Sequence, residues 1–198
     1  MNIKAQGLLN GAAWIEETFG RDALADVLQT CQPETRERYM TATAIEWHPV
    51  EELVDFLEQA ERRFGSGDGL IARELGAAGA RKNMGGFLRQ AAFYLARPDY
   101  ALKRVAGAWQ QFNDEGRMVI REATAGGCVV EVQDAGVPHP LFCMTLTGWV
   151  EVLAGRIGAP SPKATHPECV ARGDARCLWR AAWQHIAIEP DRPAAWSR

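Results

Sequence analysis

The chain has 198 residues, 47% hydrophobic and 24% charged, with seven Trp, seven Phe and a formal net charge of −3. That length suits one domain, or a domain with a helical extension, and the apolar and aromatic content excludes a disordered chain. No apolar run of about 18 residues spans a membrane. The opening Met1-Asn2-Ile3-Lys4-Ala5-Gln6-Gly7 lacks an export signal's layout, and no Lys/Arg cluster offers a grip on nucleic acid, so the expectation is cytoplasmic, with neither membrane nor nucleic acid as partner.

The first hundred residues read as helices. Leu8, Leu9, Ala12, Ala13, Ile15 and Phe19 recur at helical spacing before Gly20. Asp22 caps a second helix with Leu24, Val27 and Leu28, and Pro33-Glu34 opens a third. Trp47-His48-Pro49 breaks the pattern. An amphipathic helix then runs from Val50 to Phe64, with Leu53, Val54, Phe56, Leu57 and Ala60 on its apolar side. Gly65-Ser66-Gly67-Asp68-Gly69 is a turn without the Lys-Ser/Thr of a phosphate loop. Leu70–Leu75 is helical, Ala77–Gly86 is rich in small residues and ambiguous, and Phe87–Leu95 and Tyr100–Phe112 are helical again.

After Gly116 the period becomes alternating. Met118–Ala123 and Cys128–Val132 form two strands of a hairpin turning at Ala125-Gly126-Gly127. Leu141–Ile157 is a helix with one apolar stripe (Phe142, Leu146, Trp149, Val150, Leu153, Ile157) to pack on the sheet. Ala164–Val170 and Ala175–Ile186 are extended, with Gly173-Asp174 between them. The expected class is α+β: a helical N-terminal half (residues 1–99) packed on a small antiparallel sheet with one crossover helix (100–188), then a loose tail (189–198).

Five cysteines without an export signal argue against a disulfide scaffold. Cys31 and Cys128 stand apart, whereas Cys143, Cys169 and Cys177 share the last third with His166. Cys169 and Cys177 are symmetric about Gly173, so a hairpin there places them opposite each other, with Cβ atoms about 4.5–5.5 Å apart. Both sulfurs then reach one tetrahedral ion at about 2.3 Å. His166 swings in from the entering bend, and Cys143 lies in the first turn of its helix, where the positive dipole end favours a thiolate. Four protein ligands close the shell, which makes a structural rather than catalytic zinc. The same two hairpin cysteines also suit plain core packing, or a cross-strand disulfide under oxidation.

The stretch from Phe142-Cys143-Met144-Thr145-Leu146-Thr147-Gly148-Trp149 to Gly158, followed by His166-Pro167-Glu168-Cys169 and Gly173-Asp174-Ala175-Arg176-Cys177, resembles the 4-vinyl-reductase domain. That small-molecule-binding domain occurs in aromatic-sensing activators and bacteriochlorophyll-pathway proteins. The resemblance covers residues 100–187 and implies zinc at Cys143, Cys169 and Cys177, with His166 where the family has Glu. Glu168 and His139 are competing ligands. The N-terminal half is similar, more loosely, to the wider group of haem–nitric-oxide-binding sensors and TRAPP tethering subunits, through Glu17-Thr18-Phe19-Gly20. The haem branch is disfavoured because no His lies between Pro49 and Pro138, where the resemblance places a proximal ligand.

A pocket is expected between the helices and the sheet, lined by Phe87, Tyr94, Trp109, Phe112 and Trp149, although each of these aromatics also suits plain core packing. The sequence lacks a nicotinamide or flavin motif and a catalytic triad, so a binding module is expected before an enzyme. The reading is a zinc-stabilised sensor domain for a small apolar or aromatic molecule, dimeric and acting through a partner protein. The alternative is a TRAPP-like scaffold with no metabolite, using an exposed face of Leu8, Leu9, Ile15, Leu24 and Leu28.

Overall fold

A computed structural model describes residues 1–91, 106–107, 109–136, 139–156 and 159–184, with the side chains of 84–91 left out. Tyr94, most of the expected Tyr100–Phe112 helix and the tail 189–198 lie outside the described residues.

The chain enters through β1 (Asn2–Lys4) and three helices, α1 (Gln6–Phe19), α2 (Arg21–Thr30) and α3 (Pro33–Thr41). Gly20 separates α1 from α2 at φ 95°, a conformation that only glycine adopts cheaply, so Gly20 rather than Asp22 precedes the second helix. The break at Trp47-His48-Pro49 is strand β2, which pairs antiparallel with β1 in the register Ile3↔His48. α4 (Val50–Phe64) follows, then α5 (Leu70–Ala91), whose first turn is capped by Asp68 Oδ1 accepting from Leu70 N at 3.0 Å.

α5 is one unbroken helix through the ambiguous small-residue stretch. The reason is its neighbour α6 (Pro140–Arg156). A Cβ at Gly76 would lie 2.0 Å from Thr145 O, and one at Gly148 would lie 2.0 Å from Arg73 O. The glycines let the two backbones touch, and the absence of large side chains that blurs the helical period is what this crossing needs. Arg73 then reaches Glu151 at 2.6 Å across the contact.

β3 (Arg117–Thr124) and β4 (Gly127–Gln133) form the expected hairpin, and β5 (Lys163–Glu168) and β6 (Cys177–Ala182) a second one. The sheet order is β3-β4-β6-β5, all antiparallel, and α6 is the crossover between its halves. Cys128, Val130, Val132, Ala164, Cys177, Trp179 and Ala181 share the face beneath α6 by pairing and alternation. α6 carries more than the expected single stripe: Cys143, Thr147 and Ala154 are buried as well as Phe142, Val150 and Leu153, because the helix lies between α5 and the sheet. One core runs from Ile3 to Ala181 through both halves. Among the described residues, no helix is long and apolar enough to cross a membrane.

Candidate functional site

β5 sets the site through a defect in its pairing. Thr165 opposes Arg180 and Glu168 opposes Leu178, so the register shifts between them. Residues three apart on a regular strand face opposite ways, but the bulge inverts the parity and turns both His166 and Cys169 inward. Carrying the Glu168↔Leu178 register one step further places Cys169 against Cys177. A 3-10 turn (Val170–Arg172) and Gly173 at φ 93° close the connection. The turn wraps Cys169, whose carbonyl accepts from Arg172 N and Asp174 N while its own N–H donates to Asp174 Oδ2 at 2.7 Å. Val170 N donates to Cys177 Sγ at 3.4 Å.

Cys143 comes from the first turn of α6, with its Sγ 3.9 Å from Cys169 Sγ. Ligand atoms of Cys143, His166, Cys169 and Cys177 all lie within 4.8 Å of one another. A tetrahedral ion with metal–sulfur bonds of about 2.3 Å spaces its sulfurs by roughly 3.8 Å, so the cysteine pair already has that edge length. All three cysteines are buried, and His166 Nε2 is buried with no hydrogen-bond partner, as expected of an atom reserved for another ligand. Trp179 fixes the arrangement. Its indole stacks on His166 at 4.2 Å and 7°, and its N–H faces Thr147 Oγ1 at 3.1 Å and Cys143 O at 3.4 Å.

Electrostatics divides the thiols. Cys177 is held far below the usual thiol range by the hydrogen bond from Cys143 and then by His166, against burial. Cys143 is raised by the same bond and by burial. Cys31 and Cys128 are different: burial pushes them up to about 12 and about 11, which makes them inert core residues.

The two competing ligands lie elsewhere. Glu168 pairs with Arg176 at 2.7 Å, and His139 faces Glu58 at 3.4 Å.

A cavity of about 110 Å³ lies against the other side of α6. Trp109, Phe112 and Trp149 line it, joined by Phe142, Met118 and Leu146. Phe87's side chain and Tyr94 lie outside the described residues. Gly7, Gly76 and Gly79 also wall the cavity, and their signal in the sequence was only a lack of bulk. Phe142 lines the cavity and Cys143, the next residue, joins the thiol cluster. Of the face expected of a scaffold, Leu8, Ile15 and Leu24 are buried and Leu9 and Leu28 half-buried.

No family model matches the sequence, and no curated protein does. Solved structures do share the fold. An alanine-to-glycine variant of the H-NOX protein from K. algicida, in its Fe(II) unliganded form, superposes with a TM-score of 0.65 at 11% identity, over 93% of this chain and 98% of that one. The H-NOX protein from S. oneidensis in the Fe(II)NO ligation state gives 0.64 at 11%, over 92% and 99%. A structure from work on heme distortion in the H-NOX family gives 0.61 at 13%, over 96% and 100%. These neighbours fall on the haem–nitric-oxide-binding side of the wider group. They establish an α+β fold shared with H-NOX domains.

Zinc does not stand as the cofactor. The neighbours are described by heme and Fe(II), not zinc. The sequence misled because thiols and an imidazole specify a preference for soft metals without naming the element. Among the described residues that line the cavity there is no His, Cys or Tyr. Of the described histidines, His48 is buried beside Glu52, His139 faces Glu58 and His166 belongs to the cluster.

Proposed function

We propose that the chain is a small-molecule-binding sensor domain whose ligand occupies the cavity beside α6. A metal ion that prefers thiolates, held by Cys143, His166, Cys169 and Cys177, then clamps the first turn of α6 to the β5–β6 hairpin. The adjacency of Phe142 and Cys143 carries this reading, since one turn of helix meets both sites. A ligand that displaces Phe142 strains the clamp, and the clamp in turn sets where Phe142 rests. The output passes through a partner protein, with the domain working as a homodimer. Four protein ligands close the metal shell, so the ion stabilises the fold rather than performing a reaction. The H-NOX likeness and the cavity both support a sensor over a scaffold.

Elemental analysis of protein purified without added metal tests the clamp and identifies the ion. About one ion per chain is expected, with Cys177→Ser losing most of it and Cys128→Ser keeping it. Metal-free, well-folded wild type would return the four residues to core packing. Light scattering after gel filtration tests the dimer.

A further inference from the structure

We infer that the surface made by the end of α3, the 42–46 connection and β2 docks a partner protein, through a segment presenting an apolar side chain between lysines or arginines. This rests on the sensor reading, in which the output passes through a partner, and it names the surface and the partner's chemistry.

Of the five large apolar side chains exposed among the described residues, three stand here within eight residues: Met40 at 73% exposed, Ile45 at 77% and Trp47 at 43%. Their neighbours Tyr39 and Val50 pack on the core, so the fold itself makes no use of the three that turn outward. His48 is buried between exposed Trp47 and Pro49, which keeps Trp47 on the outer face of β2. The patch is held in shape before any partner arrives. Glu46 N donates to Thr43 O at 3.1 Å, and Thr43 Oγ1 donates to Glu46 Oε1 at 3.0 Å. Lys4 Nζ donates to Ile45 O and lies 3.8 Å from the centre of the Trp47 ring, which ties both residues to β1. Prearranged apolar surface rimmed by charge suits docking, because little order is lost on binding.

Charge selects the occupant. Residues 34–58 hold seven carboxylates against two arginines, a net charge of −5 in a chain whose whole charge is −3. The pKa of Arg38 is raised first by its hydrogen bond to Glu52 and then, against burial, by the charges of Glu52, Glu46 and Glu37. Those acids therefore gather around the last turn of α3. Lys4 alone leaves the face negative. A second copy docking face to face would bring like charges together, and an anionic lipid surface or nucleic acid would be repelled. A cationic protein segment gains from both the apolar patch and its rim.

Calorimetric titration of the full chain tests this with three synthetic peptides of equal length. One is a helical amphipath of Leu and Lys, the second has Glu for each Lys, and the third has Ser for each Leu. The Leu/Lys peptide should bind one to one, more weakly in added salt, and at least about tenfold more tightly than either control. Ile45→Ser and Met40→Ser should each weaken it by about fivefold to thirtyfold at unchanged Tm, because both side chains are exposed. Leu70→Ser, an exposed position on α5, should leave it unchanged. No binding of the Leu/Lys peptide, or equal binding of either control, overturns the partner's chemistry. Affinity that survives in both patch variants overturns the location. A wild-type dimer that dissociates in Ile45→Ser makes the face a contact between copies, and phosphatidylglycerol vesicles bound by wild type but not by Ile45→Ser make it a membrane face. Either result overturns the inference. Elemental analysis and light scattering of the wild type report on the metal clamp and the dimer separately, so a failed surface and a failed sensor reading are distinguishable.

Discussion

Trp179 is 1% exposed, and its indole N–H is the only polar atom of a side chain that otherwise only packs. Trp179→Phe keeps the stacking on His166 but leaves Thr147 Oγ1 and Cys143 O without that donor. The expected loss is about 1–2 kcal/mol by urea unfolding, and Trp179→Ala should cost at least twice as much. His48 gives a pH signature. Its side chain is buried, and Nδ1 lies 3.0 Å from Glu52 Oε2 without hydrogen-bond alignment. Burial lowers its pKa from the ordinary 6.5, outweighing Glu52, with Arg38 pushing the same way as burial. The folded state therefore binds the proton less readily than the unfolded chain. Its stabilising contribution is complete above pH 6.5 and declines as pH falls below it, by up to about 1.4 kcal/mol per unit. His48→Leu should flatten stability between pH 7 and 5, measured by urea midpoints. Equal slopes in the two proteins would discard the assignment.

At the scale of elements, the α5–α6 crossing and the β5 bulge position the site. Gly76→Ala or Gly148→Ala places a methyl about where a backbone carbonyl already sits, so the helices must part. Each should cost about 1–3 kcal/mol or more, lowering Tm, whereas Gly79→Ala should be neutral or stabilising. Deleting Pro167 removes the extra residue and leaves His166 and Cys169 two positions apart, on one face of a regular strand, so metal uptake should be retained; lost uptake with the β3–β4 hairpin intact would refute the parity argument. These devices were unevenly visible in the sequence. Gly173 and the symmetric cysteines fixed the hairpin because turn chemistry is local. The glycine crossing was hidden because its signal is missing bulk, and the β1–β2 pair because three-residue strands carry no period.

For the whole molecule, the continuous core from Ile3 to Ala181 predicts one cooperative thermal transition, not separate melting of residues 1–99 and 100–188. Calorimetric and van't Hoff enthalpies should agree within error, and two resolved transitions would contradict it. The sequence by itself determined the α+β class, most helix and strand positions and the gathering of Cys143, Cys169 and Cys177 in the last third of the chain, since periodicity and turns are written in neighbouring residues. Tertiary structure alone decided that α6 is buried on two sides, that His166 rather than Glu168 or His139 meets the thiols, and that Trp109, Phe112 and Trp149 surround a small space. Cavities and ligand sets depend on how distant backbones approach. Here that approach is set by glycines whose missing side chains gave the sequence nothing to read.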